Sequence, residues 1–272
     1  MGVGPSSSSA PASVIDAKLE TSSKTGVLNL KSQDIKSNSK VWNAIANPDL
    51  ALKIKTLDLS DNPLKSLPQH ISVLDNLKTL IVSKCNLQRT PNLSVLVELK
   101  RLDLDGNDLE EETIGPLPDR LLKLTLNTNH LVKFPELLTT LVFLQELDLS
   151  CNRLDDIVCV GHLTALVVLN LDENNLVDLP ESLGNLSKLK KITVKKNLLI
   201  PKSPTRCTQS IPRSLFTETA VETIELNGNE YLKKTDILSF EGIDVFLERR
   251  RLSKEKSIHG GAMTDFSLFG ID

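Results

Sequence analysis

The feature that most constrains the fold is the pattern LxxLxLxxNxL, which returns through most of the chain. Its polar ninth position recurs at six successive steps of 22 or 23 residues, followed by one step of 32 residues. That position is occupied by Asn62, Cys85, Asn107, Asn129, Asn152, Asn174, Asn197 and Asn229. Because aliphatic side chains at such a fixed interval cannot be buried within one repeat, successive repeats must stack on one another.

Each repeat is expected to contribute one short strand whose alternate side chains face inward, with successive strands parallel. The ninth-position asparagine can hydrogen-bond the backbone of the turn after the strand. Leu-Pro pairs such as Leu67/Pro68 and Leu179/Pro180 begin the return path, which a short helix or turn closes. The sequence therefore predicts an α/β repeat solenoid that is right-handed and curved, with a parallel sheet on its concave face and short helices or turns on its convex face.

The ends of a solenoid must be covered, so capping segments are expected at both ends of the repeats. Before the repeats we predict a disordered leader over residues 1–13 and a cap with a degenerate first repeat over 14–53. The repeats occupy 54–236, with a proline-rich loop insertion at about 200–214. They are followed by a cap helix over 237–252 and a flexible tail over 253–272.

Composition narrows the cellular setting and the class of partner. The formal net charge of −3 gives no reason to expect nucleic acid as a partner. None of the four cysteines stands in a CxxC pair, which indicates reduced thiols and a cytoplasmic protein. No apolar stretch approaches the roughly 18 residues that would span a membrane. A monomer is expected.

The expected concave face offers the largest binding surface, since residues that alternate with the buried leucines must point out of the sheet. Most of these residues are acidic, and lysines cluster near the C-terminal end of the row, which favours an oriented protein partner. The candidate contacts are Asp58, Asp61, Ile81, Asp103, Asp105, Thr125, Asp148, Asn170, Asp172, Glu173, Lys191, Lys195 and Glu225. For any single residue, the alternative is that it merely keeps the sheet soluble.

No catalytic, cofactor-binding or metal-binding set emerges from the sequence. The four histidines lie in four separate places without ligand spacing, and no glycine-rich phosphate loop is present. Cys151 is the one cysteine placed on the concave side, where a reactive thiol is conceivable; Cys85 is expected to be a small buried apolar residue. We therefore predict that the protein is not an enzyme.

The first residues carry a second motif. Met1, Gly2 and Ser6 fit MGxxx[ST], the acceptor pattern for N-myristoylation, which makes Gly2 a candidate lipidation site and peripheral membrane association an expectation. A fortuitous glycine in a disordered leader is the alternative. One acyl chain alone gives only marginal membrane affinity, so a second signal would be needed.

With these features in place, residues 14–256 resemble the intracellular leucine-rich repeat proteins of the short type, with repeats of about 23 residues. The segments TSSKTGVLNLKSQDI and FEGIDVFLERRR at the two ends of the repeats carry the resemblance most specifically. The resemblance implies a protein-binding adaptor or scaffold without known catalysis. The alternative function is a regulatory or targeting subunit of a signalling enzyme such as a protein phosphatase, which some short-repeat relatives resemble.

Overall fold

The computed structural model describes residues 12–202 and 209–257, and the side chains of 14–202 and 209–253. The chain divides into two compact units, Met1–Asn129 and His130–Asp272. Residues 1–11 of the predicted leader, 203–208 of the proline-rich insertion and 258–272 of the predicted tail lie outside the described residues.

The first unit contains five short strands that pair in parallel in chain order. Their middle residues, which are all leucine, face each other in register and are fully buried; Leu28 pairs with Leu57 and Leu57 with Leu80. Strands of three residues are long enough to form this core, because each strand contributes only its middle side chain to it. The strands are β1 (Val27–Asn29), β2 (Thr56–Asp58), β3 (Thr79–Ile81), β4 (Arg101–Asp103) and β5 (Lys123–Thr125).

The second unit repeats this arrangement with four parallel strands. Here the buried middle residue is leucine in the first two strands and isoleucine, at Ile192 and Ile224, in the last two. The strands are β6 (Glu146–Asp148), β7 (Val168–Asn170), β8 (Lys191–Thr193) and β9 (Thr223–Glu225).

Short 3-10 helices form much of the return path between strands, as the Leu-Pro pairs predict. Pro68, Pro135 and Pro180 each stand directly before one of them, with φ between −75° and −64°. A proline ring fixes φ in this range, so it sets the chain direction at the start of the turn. The 3-10 helices are Gln69–Val73 and Glu111–Thr113 in the first unit, and Glu136–Thr140, Val158–His162 and Glu181–Asn185 in the second.

The ninth-position asparagines connect each repeat to the one before it. The Asn62 side-chain oxygen accepts from the backbone N–H groups of Gln33 and Ile35 at 3.0 and 2.9 Å. Its Nδ2 donates to the carbonyls of Leu30 and Leu59 at 2.9 and 2.7 Å. This side chain therefore satisfies buried backbone groups that the turn leaves without partners. The asparagines that bond the preceding repeat in the same way are Asn107, Asn129, Asn152, Asn174, Asn197 and Asn229.

Cys85 replaces asparagine in one repeat of the first unit. Its thiol donates to the Leu59 carbonyl at 3.1 Å, but it supplies no oxygen to accept from the preceding turn. Burial raises the pKa of the Cys85 thiol to about 11, against the opposing effect of a backbone hydrogen bond. The thiol is therefore protonated and unreactive at neutral pH, in agreement with its predicted role as a small buried residue.

The residue directly before each ninth position has a left-handed backbone, a feature that the sequence pattern did not predict. Nine successive turns share this conformation, with φ between 49° and 81°. Two of them carry glycine, Gly106 and Gly228, and the others carry residues that adopt it at an energetic cost. The residues are Ser32, Asp61, Lys84, Gly106 and Thr128 in the first unit, and Cys151, Glu173, Lys196 and Gly228 in the second.

At the N-terminal end lie three helices that contact one another, the first of which packs against β1: α1 (Ala12–Thr25), α2 (Val41–Ile45) and α3 (Pro48–Ala51). Trp42 is 1% exposed, and its indole N–H donates to the Lys36 carbonyl at 2.9 Å. Ile45 is fully buried beside it.

At the C-terminal end the structure differs from the single cap helix predicted over 237–252. Two helices lie there, α5 (Lys234–Leu238) and α6 (Ile243–Ser257), separated at Gly242, whose φ of +86° interrupts a helix. A further helix, α4 (Arg213–Thr217), begins directly after Pro212, within the region predicted as a loop. The Phe216 and Phe246 rings pack at 6.0 Å between centroids and join α4 to α6.

Candidate functional site

The sheet face of each unit is the row of side chains opposite the buried core, formed by the first and third residue of each strand. In the first unit Thr56 and Thr79 are half-buried, while Arg101 is exposed. In the second unit Glu146 is exposed and Thr223 is half-buried. Each unit therefore presents a partly exposed sheet surface on which candidate contacts lie.

Two of the predicted contacts, Asp58 and Asp148, hold the turn that follows their own strand. In the first unit one Asp58 oxygen accepts from the Ser60 N–H and hydroxyl at 2.9 and 2.6 Å. In the second unit Asp148 bonds Ser150 in the same way at 3.0 and 2.7 Å. One oxygen of each carboxylate is thus engaged in local structure.

The expectation that Asp103 presents a carboxylate on the surface is corrected by the structure. Asp103 is 5% exposed. The Arg101 guanidinium covers it and donates in a forked arrangement, with Nε at 3.0 and 3.1 Å and Nη2 at 2.7 Å. Because the two residues are alternate neighbours on one strand, their side chains lie on the same side. The group presented to a partner at this rung is therefore the Arg101 guanidinium.

Asp61 and Asp105 also have partners within the first unit. Asp61 pairs with Lys31 at 3.2 Å, and one Asp105 oxygen accepts from the Ser83 hydroxyl at 2.7 Å. Thr125 reaches the same Asp105 oxygen at 3.4 Å. Ile81 is half-buried and stands in register between Asp58 and Asp103. The carboxylates of this row thus bind the repeats together as well as facing outward.

In the second unit, carboxylates and lysines pair across adjacent strands. Glu225 on β9 accepts from Lys191 on β8 at 2.9 Å and also pairs with Lys195, in the turn after β8. Lys195 lies 3.9 Å from Asp172 as well, and its backbone N–H donates to Asp172 at 2.8 Å. The structure thus brings together four residues that the sequence placed in one candidate surface.

These contacts and the burial of the site shift the pKa values of its charged groups. The hydrogen bond with Lys195 holds the pKa of Glu225 below its ordinary value, and the same bond raises the pKa of Lys195. Burial raises the pKa of Asp172, although the backbone N–H of Lys195 opposes the shift. At neutral pH the Glu225 pairs are charged on both sides and largely neutralise one another.

The remaining predicted contacts of the second unit are also engaged. Asn170 accepts from the Thr193 hydroxyl at 2.8 Å. Glu173 accepts from Lys196 at 2.6 Å, which lowers the pKa of this exposed carboxylate. The Cys151 thiol lies 3.6 Å from the other Glu173 oxygen and is exposed, as its predicted position implies.

Sequence reasoning missed a column of cations at the beginning of the strands in the first unit. Lys55, Lys78 and Lys100 directly precede β2, β3 and β4, and Arg101 and Lys123 open β4 and β5. The signal was present, since each of the three lysines follows the buried apolar residue that opens its repeat. The pattern of paired leucines alone does not point to these lysines, because they lie before the strand and not between the leucines.

Three further expectations concern lipidation at Gly2, metal binding and membrane-spanning helices. Gly2, the candidate lipidation site, is not among the described residues. Within the residues that the structure describes, no group of three or more histidine, cysteine or acidic side chains is placed to hold a metal ion. None of the helices described is both long and apolar enough to cross a membrane.

Parts of the chain match a known family of repeat proteins. The family model for the Leucine Rich Repeat matches residues 53–74, 143–163 and 165–186. A search of curated protein sequences finds no match. The family matches and the structural likenesses below support a leucine-rich repeat protein.

Solved structures of leucine-rich repeat proteins are similar in fold. A leucine-rich repeat protein of Leptospira interrogans matches with a TM-score of 0.55 and 20% identity, over 77% of this chain and 69% of its own. Internalin C2 of Listeria monocytogenes matches with a TM-score of 0.55 and 21% identity, over 72% and 80%. A chain in the octameric complex of Latrophilin 3, Unc5D and the leucine-rich repeats of FLRT2 matches with a TM-score of 0.58 and 23% identity, over 75% and 70%. These likenesses confirm the predicted α/β leucine-rich repeat fold.

Proposed function

We propose that the protein is a non-catalytic, protein-binding adaptor or scaffold that engages its partner through the sheet face. The observation that carries the proposal is that each unit buries one side of its sheet in the leucine core and leaves charged and polar side chains partly exposed on the other. Such an extended surface suits another macromolecule better than a small molecule, which requires a concave and largely apolar pocket.

The comparisons support this reading. One similar structure, the complex that contains FLRT2, holds leucine-rich repeats within a protein assembly. The two end segments of this chain also resemble those of leucine-rich repeat-containing protein 57, which implies an adaptor without known catalysis. We propose a cytoplasmic monomer whose partner is a protein.

Acylation at Gly2 would add a membrane anchor to this adaptor, but a single acyl chain needs a second membrane-binding signal. Basic residues near the C-terminus, such as Arg249 and Arg251, are the candidates for that signal. Arg249 is poorly placed for that role, because its guanidinium donates to the carbonyls of Phe216 and Val221 at 2.8 and 3.0 Å. Arg251 pairs with Glu248 at 2.8 Å. The intact mass of protein from a native source tests the anchor: loss of Met1 with the added mass of a myristoyl group supports it, and an unmodified mass removes it.

Capture from a native cell extract tests the adaptor function. Thr79→Glu in the first unit and Thr223→Glu in the second place a carboxylate on the sheet face without removing a described side-chain hydrogen bond. We expect at least one stoichiometric partner of the wild-type protein to be lost from one of these variants. Quantitative mass spectrometry of the retained proteins provides the measurement.

A matched variant on another surface keeps this experiment specific. Val73→Glu adds the same side chain at an exposed position in the 3-10 helix Gln69–Val73, away from the strands. Retention of every partner by both sheet-face variants, or equal loss from the Val73 variant, would contradict binding through the sheet. A phosphatase that copurifies in stoichiometric amount would favour the regulatory-subunit alternative over a general scaffold.

A further inference from the structure

Three lysines of the first unit form a straight line across the strands, which we call the lysine line: Lys55, Lys78 and Lys100. The Lys78 N–H donates to the Lys55 carbonyl at 2.8 Å, and the Lys100 N–H donates to the Lys78 carbonyl at 2.9 Å. These hydrogen bonds hold the three residues at the same level of successive repeats. Neighbouring parallel strands lie roughly 4.8 Å apart, so the three side chains start at that spacing.

The lysine line has no carboxylate partner among residues 14–202 and 209–253, although other cations of the first unit do. Lys31 pairs with Asp61 and Arg101 with Asp103, whereas none of the three lysines takes part in an ion pair. Glu98, two residues before Lys100, makes no ion pair with it either. Lys55 and Lys78 are exposed and Lys100 is half-buried. Three adjacent like charges repel one another unless a partner neutralises them.

The adjoining column, formed by the first residue of each strand, places no carboxylate beside the lysine line. It holds Thr56, Thr79 and Arg101 at β2, β3 and β4, and the Arg101 guanidinium is paired with Asp103. Carboxylates that pair with no cation among the described residues lie at and beyond the third strand position, at Asp58 and Asp105. The first unit is therefore basic at the edge where its strands begin and acidic at the edge where they end.

This division determines the kind of partner that fits. The lysine line is separated from the acidic row, formed by Asp58 and Asp105, by three or more residues of chain, or at least roughly 10 Å. A bilayer of anionic lipid or a nucleic acid is negative over a wider area, so it would meet the carboxylates as well as the lysines. A protein segment can place carboxylates over the lysines and other side chains over the acidic row.

We propose that the lysine line is the docking site for an acidic segment of a partner protein, which lies across β2, β3 and β4 with two or more closely spaced carboxylates over the ammonium groups. Acidic side chains three or four residues apart on a helix lie about 5–6 Å apart, close to the spacing of the lysine line. This inference rests on the proposed adaptor function, for which it names the chemistry of the partner.

Binding of a fluorescein-labelled decapeptide of glutamate to the full-length protein tests the inference by fluorescence anisotropy at low ionic strength. The test variant carries Lys55→Gln, Lys78→Gln and Lys100→Gln together. The control variant carries Lys36→Gln, Lys40→Gln and Lys65→Gln, which are exposed and remove the same charge from the same unit. We expect the test variant to bind about 10-fold more weakly than wild type and the control less than about 2-fold.

The outcomes separate this inference from the proposed function. No binding by the wild-type protein, or equal loss in both variants, overturns the lysine line as a docking site. Sedimentation with phosphatidylserine vesicles that depends on the lysine line, without peptide binding, assigns it to a lipid surface and also overturns the proposal. If capture through the sheet face persists in either case, the adaptor function stands and only the acidic partner is removed.

Discussion

In the first unit the three lysines that directly precede the strands take part in no ion pair among the described residues, whereas in the second unit lysines and carboxylates pair across adjacent strands. The position of the lysine line is occupied in the second unit by Gln145, Val167, Lys190 and Glu222, which are linked by the same backbone hydrogen bonds. Lys191 and Lys195 instead share Glu225. The same backbone repeat can therefore leave charge available for a partner or use it to bind its own turns.

The largest expected effect on stability comes from the ninth-position asparagines, which both units share. Asn107→Ala removes the acceptor of the Cys85 and Leu87 N–H groups and the donor to the Val82 and Leu104 carbonyls, all buried. We expect the free energy of unfolding to fall by about 3–5 kcal/mol, because each unsatisfied buried group costs about 1–3 kcal/mol. Urea unfolding followed by circular dichroism measures it.

The equivalent change in the second unit, Asn174→Ala, should cost a similar amount, since Asn174 bonds Leu154, Leu149 and Leu171 in the same manner. Asn76→Ala provides the control, because this exposed side chain makes a single described bond to the Leu52 carbonyl. A loss from Asn107→Ala as small as that from the control would show that the asparagines do not hold the repeats together.

The next largest effect on stability is expected from the left-handed column, the set of left-handed residues that directly precede the ninth positions. Gly106→Ala in the first unit and Gly228→Ala in the second would each place a Cβ within 2.9 and 2.8 Å of a lysine Cγ, at φ of +66° and +81°. A loss of about 1–2 kcal/mol is expected from each, because an L-residue is strained in this conformation. Thermal unfolding monitors both variants.

Thr128→Gly is the converse of these substitutions, since Thr128 occupies the same position with φ of 55°. Relief of strain should stabilise this variant, although the entropy that glycine gains in the unfolded chain reduces the benefit to less than about 1 kcal/mol. Equal destabilisation of all three variants would mean that local packing, and not backbone conformation, governs this column.

Cys85 allows the first unit to be made more like the second. In Cys85→Asn the new amide oxygen can accept from the turn after Asn62, as Asn107 does from the turn after Cys85. We expect a gain of about 1 kcal/mol in the free energy of unfolding, the usual net value of a hydrogen bond. Cys85→Ala should destabilise the protein. If Cys85→Asn lowers stability as much as Cys85→Ala, the site is adapted to the thiol and cannot accommodate the amide.

The smallest effect depends on pH. The pKa of Glu225 lies below its ordinary value of 4.5, so its ion pairs stabilise the folded protein above about pH 4.5 and cease to do so as the pH falls through the folded pKa. The stability difference between wild type and Glu225→Gln should therefore be largest near neutral pH and shrink in acid. Denaturant unfolding across this pH range measures the difference.

Glu230→Gln is the matched control, since Glu230 is an exposed acid in the turn after β9. Its stability difference from wild type should be small at every pH. A Glu225→Gln difference that stays constant as the pH falls below 4.5 would show that packing of the side chain, and not its charge, supports the second unit.

The architecture was predictable because the repeat specifies both burial and turn chemistry. Leu57, Leu80 and Leu102 are buried where the period placed them, and Asn62 and Asn107 bond the turns as expected. The break at Gly242 in the predicted C-terminal helix was less evident, because Leu238, Ile243 and Phe246 keep helical spacing across it.

The site was predictable only as a set of outward positions. Which residues lie on the sheet face follows from alternation along a strand, but which charges neutralise one another depends on neighbours in other repeats and on rotamers. Asp103 occupies an outward position by alternation, but the Arg101 guanidinium covers its carboxylate. Glu225 finds Lys191 and Lys195 more than 25 residues away in the chain, because the 32-residue repeat returns it to the adjacent rung.

The asparagine bonds have a direction. Each amide oxygen accepts from the repeat that precedes it, so the turn at Cys85 and Leu87 depends on Asn107, and the turn at Leu154 depends on Asn174. During synthesis on the ribosome a newly emerged turn therefore stays incomplete until its successor leaves the exit tunnel. The last turn of a nascent chain is accordingly the part most exposed to chaperones and proteases.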